Sequence, residues 1–126
     1  MHRSRFAQLV IDCRTGDLDC AARFWAEALG WPAQRLQDAA DAGYRRLATP
    51  DDQPGVLIQA VAHPSRMHLD IESDDVEAEV RRLEALGARR IAAVRTWWVM
   101  QAPTGQRFCV LRPQRADLAH EGRLWP

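Results

Sequence analysis

Two kinds of hydrophobic spacing alternate along this chain, one of period two and one helical. Phe6–Cys13 places Leu9, Ile11 and Cys13 on one face and Gln8, Val10 and Asp12 on the other, which predicts a strand with one polar-tolerant face. Thr15-Gly16-Asp17 supplies a turn and a cap, after which Leu18, Ala21, Ala22, Trp25, Ala28 and Leu29 recur at helical spacing until Gly30. The spacing predicts a helix from about Leu18 to Leu29. Pro32 to Ala42 shows no clear period and reads as a short strand and a loop. Tyr44–Ala48 and Val56–Val61 read as strands around the turn-forming run from Thr49 to Gly55.

After the connector His63-Pro64-Ser65 the order repeats. A strand Met67–Ile71 leads through the capping run Ser73-Asp74-Asp75 into a helix on Val76, Val80, Leu83, Ala85 and Leu86 that ends at Gly87. Three strands follow at Arg89–Val94, Thr96–Gln101 and Arg107–Leu111, with Pro103-Thr104-Gly105 turning between the last two. Both halves therefore read βαβββ. Glu27-Ala28-Leu29-Gly30 recurs as Glu84-Ala85-Leu86-Gly87, and the same offset carries Asp17 onto Asp74, so letters, caps and element order agree.

At 126 residues the chain has room for one core. Its 17 Lys+Arg balance 17 Asp+Glu with no basic concentration, which excludes a nucleic-acid surface. No apolar run approaches the roughly 20 residues that span a bilayer, so no membrane partner is expected. The opening Met1-His2-Arg3-Ser4-Arg5-Phe6 lacks the features of a signal peptide, and the expected location is cytoplasmic. Cys13, Cys20 and Cys109 are odd in number and form no CxxC pair, which argues against a disulfide framework and a structural zinc site.

Phe24-Trp25-Ala26-Glu27-Ala28-Leu29-Gly30-Trp31 resembles the first-helix signature of the vicinal oxygen chelate superfamily of glyoxalase I, bleomycin-resistance proteins and extradiol dioxygenases. His68-Leu69-Asp70-Ile71 with Asp74-Asp75-Val76 and Leu83–Ala88 resembles the second module, and Ala102–Leu111 resembles its closing hairpin. The nearest subgroup is the glyoxalase-like domain proteins. The resemblance implies an α+β fold of two βαβββ modules forming a curved, eight-stranded mixed-sheet cleft within one domain. Module one would cover about residues 5–62, module two about 66–112, and a tail 113–126. It also implies a homodimer.

In metal-dependent members each module supplies ligands from its first and last strands. Carried over, the four positions fall on Val10, Gln59, His68 and Cys109, with Asp12 able to take the first role only by a register shift. A hard divalent cation prefers carboxylate and imidazole, so no metal site of the usual kind and no cofactor is expected, a divalent metal being the alternative.

The expected ligand-binding residues are Asp12, Gln59, His68, Cys109 and one of the adjacent pair Trp97 and Trp98, which must point to opposite faces of their strand. His68 shares a face with Asp70 and is the best candidate for a catalytic group; it is either a hydrogen-bonded wall residue or a general base. Cys109 reads as a small buried side chain, or as a nucleophile if a cation lies beside it. Asp12 either bonds backbone or an arginine, or holds a ligand's cationic or hydroxyl group. Trp25 is read as core. The paired arginines, Arg45 with Arg46, Arg81 with Arg82 and Arg89 with Arg90, read as solvated or ion-paired faces. Leu124 and Trp125 are expected to dock on the domain or on a second subunit. Two functions stay open: a metal-independent binder of a modest, partly apolar or aromatic molecule, or a metal-dependent or acid/base lyase, isomerase or dioxygenase.

Overall fold

The computed structural model describes all of residues 1–126 and contains nine strands and three helices in an α+β arrangement. Two compact units are present: an N-module of residues 8–67, and a C-module made of residues 1–7 with 68–126. The first strand, β1 (His2–Arg14), supplies residues to both.

The N-module runs through helix α1 (Leu18–Leu29) and strands β2 (Ala33–Arg35), β3 (Tyr44–Leu47) and β4 (Gly55–Val61). Its sheet order is β2-β3-β4-β1, with β4 parallel to β1 and the other pairings antiparallel. Helix α1 has the predicted limits because both ends are capped locally. The Asp17 carboxylate accepts from the Cys20 amide at 3.0 Å, and Gly30, at φ +80°, donates its amide to the Ala26 carbonyl at 2.8 Å. The apolar stripe of α1, with Ala22 fully buried and Leu18, Ala21, Trp25 and Ala26 beside it, packs on Ile11, Leu47, Val56 and Ile58. The unpatterned stretch after Pro32 contains β2 and a single 3₁₀ turn, Ala39–Asp41.

The C-module repeats the order with β5 (Arg66–Ser73), α2 (Val76–Ala85), β6 (Arg89–Val94), β7 (Trp97–Gln101) and β8 (Arg107–Leu111). Its sheet order is β5-β8-β7-β6, with β5 and β8 parallel. Asp75 caps α2 by accepting from the Ala78 amide at 3.0 Å. Val80 and Leu83 of α2 bury against Met100 and Val110, flanked by Ile71, Trp98 and Phe108.

The tail adds what the repeat does not contain, a short helix α3 (Leu118–Glu121) and a ninth strand β9 (Arg123–Trp125) antiparallel to the start of β1. Trp125 docks on its own chain: its indole N–H donates to Ser4 Oγ at 2.8 Å, and the Arg82 guanidinium lies 3.7 Å from its ring centroid. Beneath it, Glu79 is fully buried and accepts from Arg82 at 2.7 and 3.0 Å, with His2 Nε2 at 2.9 Å. Burial would raise the Glu79 carboxyl, but hydrogen bonds from Arg82, Ser4 and His2 together hold it below the usual carboxylate range. Most of the paired arginines form ion pairs as expected, Arg45 with Asp19, Arg81 with Glu77, Arg82 with Glu79, and Arg90 with Glu77 and Glu84. No helix is long and apolar enough to cross a membrane.

Candidate functional site

The period-two alternation of a strand decides which side chains each sheet can offer to a ligand. In the N-module, Leu9, Ile11 and Cys13 of β1 and Val56 and Ile58 of β4 lie under α1. Val10, Asp12, Leu57 and Gln59 must therefore occupy the helix-free face. Asp12 stands opposite Gln59, and Gln59 stands opposite Tyr44, so the three form one row across β1, β4 and β3. Within it Gln59 Nε2 donates to the Tyr44 hydroxyl at 2.9 Å. The Asp12 carboxylate is buried, and the half-exposed Arg66 guanidinium is 3.9 Å from it. That pair is long and solvent-screened on its cationic side, so it positions Asp12 weakly.

In the C-module, Ile71, Phe108, Val110, Met100 and Trp98 lie on the α2 side. His68, Asp70 and Glu72 of β5, Cys109 and Leu111 of β8, and Trp97 and Val99 of β7 then share the other face. Asp70 stands opposite Cys109, and Cys109 opposite Val99. His68 Nε2 is 3.4 Å from Asp70 Oδ1. One donor atom from each of His68, Asp70 and Cys109 lies within 4.8 Å of the others, and none of the three is solvent-exposed. The alternation also separates the two tryptophans: Trp98 is the core residue, with Arg90 at 4.9 Å, and Trp97 is on the site face, with Arg95 at 5.5 Å.

The two registers are equivalent. Asp12 pairs with Gln59 as Asp70 pairs with Cys109, so the N-module residue matching His68 is Val10, two positions before its acid. The four ligand positions that the resemblance implies fall on Val10, Gln59, His68 and Cys109. Val10 carries no donor atom and is buried, and the Gln59 amide is bonded to Tyr44. This donor chemistry does not fit the four-ligand hard-cation site of the metal-dependent relatives.

Sequence reasoning brought Asp12 and Gln59 together, and His68 and Cys109, but it missed Tyr44, Arg66 and Glu72. Glu72 is fully buried one row beyond Asp70, where it accepts from Arg5 Nε at 2.6 Å and from the Gln114 and Arg115 amides at 2.5 and 3.0 Å. A carboxylate at an alternating position of an apolar strand was the available signal, since such a group needs partners. None of the three cysteines is in a disulfide. Burial pushes the Cys13 thiol up, opposed by a hydrogen bond donated by Trp25 and reinforced by the charge of Asp12.

The profile of the glyoxalase-like domain family matches residues 8–111. No curated protein matches the chain. Among solved structures, methylmalonyl-CoA epimerase from Mycobacterium tuberculosis is similar at 19% identity and TM-score 0.63, over 86% of this chain and 87% of that one. A Streptomyces coelicolor methylmalonyl-CoA epimerase variant in complex with 2-nitronate-propionyl-CoA matches at 14% identity and TM-score 0.56, over 91% and 99%. A structure described as NAD-dependent benzaldehyde dehydrogenase from Legionella pneumophila matches at 10% identity and TM-score 0.59, over 84% and 99%. At these identities the likeness establishes the fold alone, and the disparity of the names shows how little chemistry travels with it.

Proposed function

The chain belongs to the glyoxalase-like domain family, and from that membership we propose that it binds a small molecule through side chains of the N-module's helix-free sheet face, without the family's four-ligand metal. The observation that carries this reading is the Asp12–Gln59–Tyr44 row. A buried carboxylate, an amide and a phenol are held in register on three adjacent strands, a preorganised set of acceptors and donors on a rigid surface. Asp12 would accept from a ligand hydroxyl or amine, and the Tyr44 ring in the same row supplies an aromatic face for a flat apolar portion. The ligand is then modest in size, with a polar end and an aromatic or apolar body.

A thermal-shift screen of small aromatic alcohols, phenols and amines against chelator-treated protein tests the reading. Hits are expected to lose most of their shift in Asp12→Asn and to weaken in Tyr44→Ala. A screen with no hits, or hits indifferent to Asp12→Asn, overturns it.

One observation favours a second reading as an enzyme. His68 beside Asp70 has the arrangement of an oriented acid/base imidazole, and the epimerases sharing this fold are named for an acyl-CoA substrate. Incubation with methylmalonyl-CoA in D2O would show deuterium entering the substrate by NMR in wild type and not in His68→Ala if this reading holds. We also propose a homodimer acting in the cytoplasm; a single species of one-chain mass in sedimentation velocity at micromolar concentration would refute the dimer.

A further inference from the structure

We propose that His68, Asp70 and Cys109 form a three-ligand site for a soft divalent cation of the zinc class, built within the C-module alone. This is a different donor set from the family's four positions. It takes nothing from Val10 or Gln59, and it adds Asp70, which those positions do not include.

The strands fix the geometry. His68 and Asp70 are two residues apart on β5 and so project from the same face, and β8 is registered to place Cys109 beside Asp70. Three atoms mutually within 4.8 Å fit inside a circle of about 2.8 Å radius (4.8/√3), against zinc bond lengths of about 2.0–2.3 Å to nitrogen, oxygen and sulfur. Small rotamer changes close that gap. Asp70 and Cys109 are buried and His68 nearly so.

Donor chemistry selects the ion. One imidazole, one carboxylate and one thiolate make a mixed nitrogen, oxygen and sulfur set, whereas Mg²⁺ and Ca²⁺ require about six or more oxygen ligands. Zinc accepts this set and, with three protein ligands, keeps a fourth position open. Charge also balances. A thiolate and a carboxylate together neutralise the dication, so the loaded site adds no net charge to a buried face. The His68–Asp70 contact would give way to bonds from both residues to the ion.

Cobalt(II) is the probe, because a thiolate ligand gives it a near-ultraviolet charge-transfer band and four-coordination gives it intense visible bands. The full chain, purified without metal affinity and stripped with chelator, is titrated with Co²⁺ and then with Zn²⁺. One Co²⁺ per chain with both signatures, bleached by Zn²⁺, is expected. The charge-transfer band should vanish in Cys109→Ser, affinity should fall by an order of magnitude or more in His68→Gln and in Asp70→Asn, and Cys13→Ser/Cys20→Ser should be unchanged. No band in wild type overturns the proposal. So does a band that survives Cys109→Ser, or one lost in Cys13→Ser/Cys20→Ser, which would place the ion on those thiols. His68→Gln and Asp70→Asn keep the test decisive if Cys109→Ser does not fold. Fragment binding through Asp12 is read on stripped protein, so the two proposals fail separately.

Discussion

Replacing Glu72 by Gln tests how the tail is held on the C-module. The carboxylate is fully buried, and its two oxygens have different duties: Oε1 accepts from Arg5 Nε at 2.6 Å, while Oε2 accepts from the Gln114 and Arg115 amides at 2.5 and 3.0 Å. Glutamine has the same shape but only one acceptor oxygen. Whichever way its amide turns, an N–H₂ group faces either the guanidinium or the two backbone amides. The loss is one or two charge-assisted bonds at about 1.5–3 kcal/mol each, and a buried donor is left unsatisfied. A total of about 3 kcal/mol follows, and at about 4 °C per kcal/mol for a chain of this length the Tm falls by about 12 °C. Calorimetry and urea unfolding measure it, with an unchanged m-value showing that the native state remains compact. Trypsin should also cut faster after Arg115, whose amide is one of the released donors. A drop below about 3 °C, equivalent to less than about 1 kcal/mol, would refute the reasoning.

Glu79 gives a pH dependence with a defined sign. Its folded carboxyl lies below the ordinary value, so the unfolded chain takes up the proton first as pH falls, and the stability it contributes is present at neutrality and lost on acidification. Glu79→Gln should be less stable than wild type at pH 7, with the difference closing below about pH 4; a constant difference across that range would contradict the assignment. Gly122→Ala should loosen the tail, because a Cβ there would come within 2.6 Å of Leu118 Cδ1 and 2.7 Å of its carbonyl oxygen. A stability loss of about 1–3 kcal/mol is expected in urea unfolding. Alkylation by iodoacetamide, followed by peptide mass spectrometry, should modify exposed Cys20 before Cys13, whose thiol burial pushes up, and before buried Cys109; prior labelling of Cys109 would show that its face opens in solution.

Short-range pattern was enough to read the modules. Helix α1 has its predicted limits because its apolar spacing and both caps lie within a few residues of the bonds they make. The faces of β1, β5 and β7 also followed from alternation alone, and with them the assignment of one tryptophan to the core. Exposure of Leu69 and Met67 on the helix side of β5 did not follow, since it depends on where α2 ends its coverage. The tail was read only as something that must dock. Its strand on β1 and its clasp of Trp125 by Ser4 and Arg82 join residues from opposite ends of the chain, which no local pattern encodes.

The site divides in the same way. Residue identity and strand alternation determined that Val10 offers no donor and that His68 and Asp70 share a face, while the resemblance implied that Gln59 and Cys109 stand where carboxylates are usual. Tertiary structure decided that Asp12 stands opposite Gln59 and Tyr44, and that Asp70 stands opposite Cys109. Alternation fixes which face a side chain takes, but it leaves the sliding of one strand along another free in steps of two residues. Only the packing of α1 and α2 on their sheets removes that freedom. The Asp12–Gln59–Tyr44 row and the His68–Asp70–Cys109 cluster are products of that packing.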